Sequence, residues 1–523
     1  MTHGSRPRIG VDVGGTNTDA VVMDGTALLA WAKTPTTPEV TGGIVASVAE
    51  ALARASVSPD RVSAVMLGTT HFTNAVAQGD GRDLAPTAVV RLGLPATASV
   101  PPLADWPAGL RRQIDGHGYL AHGGYEFDGR PIAPLDPSEL SEIARQIRAS
   151  GARAVAVCAV FSPIRADLEE QAAALLRQAL PEARFSLSSS IGRLGLLERE
   201  NACVLNACLS ELAERTVDGM QRALGELGIT APLYLSQNDG TLMSADFARA
   251  YPVLTFASGP TNSMRGAAAL SGLRDAIVVD VGGTTADIGV LSGGFPRQAS
   301  VAVQVAGVRT NFRMPDVLSI GLGGGSLVVA EDSKHVRIGP QSVGYRLVTE
   351  GRVFGGPQLT ATDIAVAGGL VALGDAERVG DLDDLLVQRA LATIADMVDT
   401  ACDRMLLTPD PIPVLVVGGG SILVQDRIGR LAVTRPPYYQ VANAVGAAIA
   451  QISGEIDRVY ALAELPRERA LADAKEQATG RAVAAGANPG SVRIVDVEEV
   501  PLAYLPSNAT RIHVKAIGDL NID

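Results

Sequence analysis

Two segments of the chain repeat one order of apolar and polar positions. From Ile9 the sequence reads IGVDVGGTNTDAVV, and from Ile277 it reads IVVDVGGTTADIGV. In each segment an apolar β-branched run ends at an aspartate, a Gly-Gly pair follows, and a second apolar run resumes. This order predicts a β-hairpin with the two glycines at its tip. Nine positions match without a gap over a separation of 268 residues (277 minus 9), which indicates an internal duplication.

The rest of the chain alternates apolar runs with segments of helical periodicity. Residues 153–161, RAVAVCAVF, predict a buried strand, and residues 167–180, DLEEQAAALLRQAL, predict a helix. Such alternation is typical of α/β domains. We predict a first lobe over residues 1–190, a second lobe over residues 191–490, and C-terminal strands over residues 491–523 that pack back on the lobes. No low-complexity linker separates the lobes, which suits a cleft that opens about short hinges.

Composition narrows the class of protein. At 523 residues the chain predicts two or more domains. Its four cysteines contain no C-x-x-C pair and are predicted to be small buried residues in a reducing compartment. A net charge of -12 without a basic block argues against a nucleic-acid or membrane partner. The absence of a signal-like start and of a membrane-spanning run leads us to expect a cytoplasmic protein.

The glycine tips predict phosphate binding. Only glycine leaves backbone N–H groups open enough to touch a bulky anion, and the threonine that follows adds a hydroxyl donor. An aspartate just before such a turn would repel phosphate unless a divalent cation lies between them, so Asp12 and Asp280 imply Mg²⁺ held through water. The predicted phosphate-binding residues are Gly14, Gly15, Thr16 and Asn17 in the first copy and Gly282, Gly283, Thr284 and Thr285 in the second.

Each copy carries a second aspartate, Asp19 or Asp287, one strand further on. With Asp12 and Asp280 these are the candidate catalytic carboxylates. The second pair either orients the attacking group or only satisfies hairpin N–H groups, and both interpretations stay open. A single Gly-Gly hairpin is most often just a tight turn. Two copies in two halves of the chain instead predict facing domains that close on one nucleotide, and neither a G-x-G-x-x-G nor a Walker A motif offers another phosphate site.

A third glycine cluster follows a buried strand predicted over residues 414–417. Gly418, Gly419, Gly420 and Ser421 form a place where the backbone can approach an adenine ring or a ribose. Residues 441–450, VANAVGAAIA, predict a helix with small residues at every fourth position. Such a face is expected either at a hinge between lobes or in ordinary close helix packing.

Together these motifs resemble the actin-like ATPase superfamily and, more narrowly, the ATP-binding subunit of the hydantoinase/oxoprolinase family, which includes homologous subunits of acetone carboxylases. The narrower resemblance rests on LGTTHFTNAV (from Leu67), IGRLGLLERENACVLNACL (from Ile191), FASGPTNSMRGAA (from Phe256), IGLGGGSL (from Ile320) and TATDIAVAGGL (from Thr360). The sequence departs from the family pattern in two places, and both bear on which substrate is bound. Leu67 stands where the family commonly has histidine, and residues 89–107 differ from its usual basic run.

The resemblance implies a two-lobed α/β ATPase fold of duplicated ribonuclease H-like lobes, with ATP and Mg²⁺ in the cleft between them. It implies ATP-driven opening of a cyclic amide such as a hydantoin, oxoproline or another lactam, with a second hydrolase subunit. Alternatives are a small-metabolite kinase, an acetone carboxylase-like subunit and, last because no peptide groove is indicated, a nonenzymatic ATP switch. A homo-oligomer is possible within each of these.

The candidate substrate residues lie in polar segments near the predicted cleft. One set stands at a strand end that leads into a helix, where N–H groups and hydroxyls can bind a carbonyl or an anion. Others lie on a helix start or in the segments QNDGT (237–241) and SGPTNS (258–263), predicted as turns at strand ends. Packed histidine, ion-pair and turn roles are the alternatives. The candidates are Thr69, Thr70, His71, Asn74, Arg199, Asn238, Asp239 and Ser258.

Overall fold

The computed structural model describes residues 7–36, 40–77, 79, 81–192, 194–299, 303–311, 314–331, 335–407, 412–503 and 508–521. The helices are α1 (Val40–Ala55), α2 (His71–Ala77), α3 (Ala108–Gln113), α4 (Pro137–Ser150), α5 (Asp167–Ala179), α6 (Leu196–Cys208), α7 (Ser210–Glu226), α8 (Ala245–Ala250), α9 (Ser258–Ser271), α10 (Leu347–Glu350), α11 (Ala361–Ala367), α12 (Asp384–Met405), α13 (Ala442–Ala448) and α14 (Arg467–Ala484).

The strands are β1 (Arg8–Val13), β2 (Asn17–Asp24), β3 (Ala27–Pro35), β4 (Ala64–Thr69), β5 (Thr87–Leu94), β6 (His117–His122), β7 (Ala154–Ala159), β8 (Arg184–Leu187), β9 (Leu233–Ser236), β10 (Thr241–Ser244), β11 (Ala276–Val281), β12 (Ala286–Ser292), β13 (Phe295–Pro296), β14 (Val303–Val305), β15 (Val308–Thr310), β16 (Val317–Ile320), β17 (Ser326–Ala330), β18 (Val336–Ser342), β19 (Val414–Val417), β20 (Arg427–Ile428), β21 (Leu431–Thr434), β22 (Gln451–Ala461), β23 (Arg493–Pro501) and β24 (Ala509–Gly518).

Two large sheets repeat one topology. In the first, β1 pairs antiparallel with β2, β2 with β3, and β1 pairs parallel with β4. In the second, β11 pairs antiparallel with β12, β12 with β13, and β11 pairs parallel with β19. The strand orders are β23-β24-β22-β10-β9-β4-β1-β2-β3 and β13-β12-β11-β19-β21-β20. The duplication predicted from the two hairpin sequences is therefore confirmed at the level of topology.

Sheet membership does not follow the predicted division of the chain. Strands β9, β10 and β22 join the first sheet although they come from the middle and the end of the sequence, and β23 and β24 extend its edge. A separate parallel sheet, β6-β5-β7-β8, lies within the N-terminal part, where α4 and α5 pack on it. The division at residues 190 and 490 stays a prediction, but the sheets partition the molecule differently.

Each strand of the repeated hairpins divides its residues between two cores, because successive side chains point to opposite faces of a sheet. Ile9 and Val11 of β1 pack with the residues of α1, whereas Val21 of β2 packs with α13. In the second sheet Val279 packs with α12, and Val278 packs with α9. Helices α9 and α13 therefore lie between the two sheets.

The two inner helices cross at reciprocal glycines. A Cβ added to Gly446 of α13 would lie 1.9 Å from the carbonyl oxygen of Asn262 in α9, and one added to Gly266 of α9 would lie 1.9 Å from that of Ala442 in α13. These distances leave no room for any side chain. The small-residue helix predicted over residues 441–450 is confirmed as α13, and its small face serves a contact between lobes.

The prediction about the cysteines is confirmed. All four cysteines are buried and free of disulfides. Within the described residues, no helix combines the length and the apolar character that crossing a membrane requires.

We predict that Gly446→Ala destabilises the protein by about 3 kcal/mol or more, because the new methyl group meets main-chain atoms that cannot move independently of α9. Gly480→Ala is the matched control. Gly480 is exposed in α14, and its added Cβ meets no atom of the described residues within 4 Å. The free energy of unfolding of this variant should therefore rise by about 0.5–1 kcal/mol. Thermal and urea unfolding measure both, and equal effects of the two substitutions would contradict the proposed crossing.

Candidate functional site

The two Gly-Gly turns have the same backbone geometry. The N–H of Gly14 donates to the carbonyl oxygen of Asn17 at 3.1 Å, and the N–H of Gly282 donates to that of Thr285 at 2.9 Å. In the strands that lead to these turns, Asp12 pairs with Asp19 and Asp280 pairs with Asp287 across the hairpin. Both predicted hairpins are therefore present, each with its two aspartates opposite each other.

The tips of the two hairpins face each other. A Cβ added to Gly283 would lie 2.4 Å from Oγ1 of Thr16, whereas one added to Gly15 would meet no atom within 4 Å. Within the described residues, the N–H groups of Gly15, Thr16, Gly283 and Thr284 have no hydrogen-bond acceptor. The structure thus brings four free N–H donors from both halves of the chain to one place, which is what binding of an anion such as phosphate requires.

The third glycine cluster lies against the second hairpin. Gly418 has a φ of +87°, and a Cβ there would fall 2.3 Å from Oδ1 of Asp280, so this position requires glycine. The N–H of Gly420 donates to the carbonyl oxygen of Val281 at 2.7 Å. Ser421 is fully buried, and its hydroxyl has no partner in the described part of the chain. The predicted nucleotide-binding turn therefore adjoins the predicted phosphate-binding tip.

A second glycine run, Gly323 to Gly325, supports the same tip and was not among the predicted site residues. The N–H of Gly324 donates to the carbonyl oxygen of Gly282 at 3.1 Å, and that of Gly325 donates to Gly283 at 2.7 Å. A Cβ at Gly323 would lie 2.5 Å from the main chain of Gly283. The segment GLGGGS entered the sequence analysis only as a family motif, although three successive glycines already indicate close backbone approach.

A polar bridge joins the first aspartates of the two hairpins. Asn443 of α13 donates from Nδ2 to Oδ2 of Asp12 at 3.2 Å. The hydroxyl of Ser263 in α9 lies 2.5 Å from Oδ2 of Asp280 and 2.6 Å from Oδ1 of Asn443. Asn443 and Ser263 were not predicted as site residues. Asn443 had a signal in the sequence, as a polar residue within the small-residue helix predicted over residues 441–450, whereas Ser263 lay in a segment predicted as a turn.

Burial disfavours the charged forms of these aspartates. Burial first, and then the negative charge of Asp19, raises the pKa of Asp12 to about 7. Burial also raises the pKa of Asp280 to about 6. Asp12 accepts a hydrogen bond from Asn443, and Asp280 accepts one from the Ser263 hydroxyl. Among the described residues, no lysine or arginine forms an ion pair with either carboxylate. A bound cation would remove this electrostatic cost.

The second aspartates have partners of their own. Nζ of Lys33 lies 2.7 Å and 2.8 Å from the two carboxylate oxygens of Asp19. Asp287 accepts a hydrogen bond from the hydroxyl of Ser319. In the described residues neither carboxylate accepts from an N–H group of its own hairpin turn, so the proposed role of satisfying those groups finds no support. Their role in orienting the attacking group stays a prediction.

Five candidate substrate residues lie where β4 meets the start of α9. The hydroxyl of Thr69 accepts from the N–H of His71 at 3.1 Å, and its carbonyl oxygen accepts from the hydroxyl of Ser258 at 3.3 Å. Asn74 donates to the hydroxyl of Thr70 at 3.3 Å. Burial lowers the pKa of His71, which favours the neutral imidazole. The structure thus brings these five residues together, and their contact with substrate stays a prediction.

The prediction of a turn over residues 258–263 is wrong. This segment forms the first turns of α9, where Pro260 is tolerated because the first helical N–H groups have no partner within the helix.

The remaining candidates have different environments. Asn238 is buried beside α9, since its carbonyl oxygen accepts from the Thr261 hydroxyl at 3.0 Å. Asp239 accepts from the N–H and the hydroxyl of Thr241 and lies 2.5 Å from Nζ of Lys515, which matches the turn role.

Arg199 is fully buried within α6. Its guanidinium donates to the carbonyl oxygens of Ala159 at 2.6 Å and Leu194 at 2.8 Å. Neither of these acceptors belongs to a hairpin tip or to the polar bridge. Its environment therefore differs from both roles considered in the sequence, a solvated ion-pair cluster and a cleft residue.

The donor set fits a magnesium ion held partly through water. Within the described residues no group of three or more histidine, cysteine, aspartate or glutamate side chains could enclose a metal. Mg²⁺ commonly binds through one or two carboxylates and completes its shell with waters and substrate phosphates. Asp12 and Asp280, buried and without a cationic partner, suit that mode of binding.

Two models of one protein family match the chain. The model of the hydantoinase/oxoprolinase N-terminal region matches residues 8–180, and the hydantoinase/oxoprolinase model matches residues 199–405, so together they cover more than half of the chain. Among curated proteins, the chain is 28% identical over 394 residues to the caprolactamase subunit alpha of Pseudomonas jessenii, an alignment that covers 70% of this chain and 55% of the relative.

A second curated relative is the acetophenone carboxylase gamma subunit of Aromatoleum aromaticum, 24% identical over 403 residues, with 69% of this chain and 53% of the relative covered. The chain therefore spans about half the length of these curated relatives.

Two solved structures share the fold over nearly the whole chain. The ATP-dependent caprolactamase from Pseudomonas jessenii superposes with a TM-score of 0.78 at 21% identity, and nucleotide-free acetone carboxylase with a TM-score of 0.72 at 16% identity. Each superposition covers 98% of this chain and 88% of the other. With the duplicated sheets, these likenesses confirm the predicted α/β class and the two-lobed fold.

The raised pKa values predict how ligand-free stability depends on pH. Because folding favours the protonated carboxyls, their contribution is complete below the pKa of an unfolded aspartate, about 4, and is lost as pH rises through about 6 for Asp280 and about 7 for Asp12. Asp12→Asn should therefore melt higher than the wild type at pH 8, and the difference should shrink at pH 5. Melting curves in magnesium-free buffer measure this.

The matched control for this comparison is Asp426→Asn, because 95% of the Asp426 side chain is exposed. Its melting temperature relative to that of the wild type should not change between pH 5 and pH 8. A wild type that melts above Asp12→Asn at pH 8 would contradict the account of buried, uncompensated carboxylates.

Proposed function

We propose that this chain, which belongs to the hydantoinase/oxoprolinase family, is the ATP-using subunit of an enzyme that opens a cyclic amide. The observation that carries the proposal is the pair of facing Gly-Gly tips, each preceded by a buried aspartate. The names of two relatives, a caprolactamase subunit and an ATP-dependent caprolactamase, support the choice of ATP and of a cyclic amide.

ATP would lie between the two lobes with its phosphates at the hairpin tips. The open N–H groups of Gly15, Thr16, Gly283 and Thr284 would donate to phosphate oxygens, as would the threonine hydroxyls. The run from Gly418 to Ser421 would face the adenosine, where the unpartnered hydroxyl of Ser421 is a free donor for it. Binding from both sides would make nucleotide affinity depend on closure of the lobes.

Asp12 and Asp280 would hold Mg²⁺ through water at the same tips. The ion would neutralise charge that develops on the phosphates during phosphoryl transfer. The protein's own contribution is orientation. Asn443 and Ser263 fix the two carboxylates from the inner helices, so neither can turn away from the cleft without breaking the bridge.

Phosphorylation would convert a poor electrophile into a reactive one. The oxygen of an unstrained amide resists loss as a leaving group, but a phosphorylated amide oxygen leaves readily. In the proposed step the amide oxygen attacks the γ-phosphorus, the bond to the bridging oxygen breaks, and ADP departs. The nitrogen loses its proton, and water then adds to the imidate-like carbon. The ring C–N bond breaks as the nitrogen takes up a proton, and a second water releases inorganic phosphate from the acyl phosphate that remains. Positioning and charge neutralisation are the main tasks of the protein in such a transfer.

Completion of the reaction would need a second polypeptide. Both curated relatives are named as subunits, and this chain spans about half their length. We therefore assign phosphorylation to this chain and hydrolysis of the activated ring to a partner hydrolase subunit.

A second candidate is an acetone carboxylase-like role, in which the activated oxygen belongs to an enolised ketone. The acetophenone carboxylase relative and the fold shared with acetone carboxylase favour it. A small-metabolite kinase differs from both because it would release a stable phosphorylated product without a partner.

The test is ADP formation by the purified chain with Mg²⁺ and a panel of hydantoins, lactams, ketones and sugars. We expect a lactam or a hydantoin to stimulate ADP release, and Asp280→Ala to abolish the stimulation. Stimulation by ketones alone would favour the carboxylase-like role. A sugar phosphate as stable product would replace the proposal with a kinase, and the absence of any Mg²⁺–ATP binding would refute it.

We also predict that Gly15→Ala weakens ATP binding by about tenfold or more without lowering the melting temperature. Its methyl group meets no atom of the described residues within 4 Å and so occupies the space where a phosphate would approach the N–H groups. The control is Gly225→Ala in α7, which also meets no atom within 4 Å. Isothermal titration with Mg²⁺–ATP compares the two, and unchanged affinity in Gly15→Ala would place the phosphates elsewhere.

A further inference from the structure

Two buried amide side chains, Asn238 and Asn262, each lack one hydrogen-bond partner within the described residues. Asn238 is 4% exposed and Asn262 is fully buried. Within the described part of the chain, Nδ2 of Asn238 has no acceptor and Oδ1 of Asn262 has no donor. An unpaired polar atom in the interior is destabilising, so native structures rarely keep one without a reason. One unused donor and one unused acceptor together indicate a ligand that offers the complementary pair.

The fold holds these two residues on elements that contact each other. Asn238 follows strand β9, and Asn262 lies in the second turn of α9. The hydroxyl of Thr261 donates to the carbonyl oxygen of Asn238 at 3.0 Å, and Nδ2 of the next residue, Asn262, donates to the hydroxyl of Ser236 at 3.0 Å. These two successive contacts lock the end of β9 to the start of α9, with one amide on each element.

The same pair lies beside the first aspartate of the cleft. At Gly68 of β4, an added Cβ would lie 2.5 Å from Nδ2 of Asn262 and 2.9 Å from Oδ1 of Asp12. The amide nitrogen and the carboxylate therefore approach one point. The hydrogen bond from Nδ2 of Asn262 to the Ser236 hydroxyl turns the nitrogen of this amide toward β9. Its oxygen consequently remains the unused acceptor.

We infer that Asn238 and Asn262 recognise the amide edge of the substrate. Nδ2 of Asn238 donates to the substrate carbonyl oxygen, and Oδ1 of Asn262 accepts from the substrate N–H. This assignment rests on the proposed function and specifies the substrate class of that site. Asn238 was already a candidate substrate residue, whereas Asn262 follows only from the structure.

The pair selects cyclic over open-chain amides. A small lactam ring forces the amide to be cis, which places N–H and C=O on the same edge of the molecule. An open-chain secondary amide strongly prefers the trans form, so its N–H and C=O point in opposite directions. One edge with a donor beside an acceptor therefore matches a lactam or a hydantoin.

The unused acceptor on Asn262 also distinguishes the opening of a cyclic amide from the acetone carboxylase-like role. A ketone offers an oxygen to Asn238 but no N–H to Asn262, so it would leave Oδ1 of Asn262 buried and unpaired. Sites built to hydrogen-bond a substrate NH reject analogues that lack it for this reason. For a lactam, the hydrogen bond from the substrate N–H to Oδ1 of Asn262 also assists the reaction. It shifts electron density toward the carbonyl oxygen, which is the atom that attacks phosphorus.

The test measures binding to the full chain in the presence of Mg²⁺ and a non-hydrolysable ATP analogue. The probes are caprolactam, N-methylcaprolactam, the seven-membered cyclic ketone and open-chain N-methylacetamide. Isothermal titration should show caprolactam binding about tenfold or more tightly than each of the other three. In Asn262→Leu, which keeps the side-chain volume but removes the acceptor, the ratio between caprolactam and its N-methyl derivative should fall to near one.

Two further variants keep the test falsifiable. Asn238→Ala should weaken the binding of caprolactam and of the cyclic ketone by similar factors, because it removes the donor to the carbonyl oxygen that both molecules carry. Asn488→Ala changes an amide that caps a turn near the C-terminus, and it should leave the affinity for every probe unchanged. Nucleotide affinity should be the same in all variants and in the wild type.

The possible failures can be told apart. Equal binding of caprolactam and N-methylcaprolactam by the wild type, or a ratio that persists in Asn262→Leu, would overturn this inference and leave the nucleotide site intact. Nucleotide binding without binding of any probe would do the same. A chain that binds no nucleotide would overturn the proposed function together with the inference.

Discussion

The architecture depends on the close crossing of α9 and α13. Gly266 and Gly446 let the two main chains touch, and each helix packs its other face on the sheet of a different lobe. One helical turn before each glycine stands a polar residue, Ser263 or Asn443, that holds an aspartate of the cleft. The contact that joins the lobes thus also sets the distance between the two carboxylates.

This arrangement explains why the cleft is electrostatically costly without a ligand. Burial raises the pKa of Asp12 to about 7 and of Asp280 to about 6, and no lysine or arginine within the described chain forms an ion pair with either. Lys33 is engaged by Asp19, one strand away. Four open N–H donors and two uncompensated carboxylates at one place are complementary to a phosphate with its magnesium ion.

Local patterns predicted the elements that carry this chemistry. Alternation and the Gly-Gly pairs predicted both hairpins, and small residues at every fourth position predicted α13. Sequence reasoning failed where pairing is nonlocal. It did not place β9, β10 and β22 in the first sheet, because nothing near them in the sequence specifies β4 as their neighbour. It also missed the bridge between Ser263 and Asn443, which lie 180 residues apart (443 minus 263), since one polar residue in a small-residue helix carries no sign of its partner.

The central claim is that both hairpins hold one nucleotide together through both aspartates. Isothermal titration of Mg²⁺–ATP into the wild type, Asp12→Asn and Asp280→Asn tests it most directly. The account predicts one site per chain in the wild type, strict dependence on Mg²⁺, and loss of that dependence in either variant although the two residues belong to different lobes. Two independent sites per chain, or magnesium-dependent binding that survives in one of the variants, would contradict it.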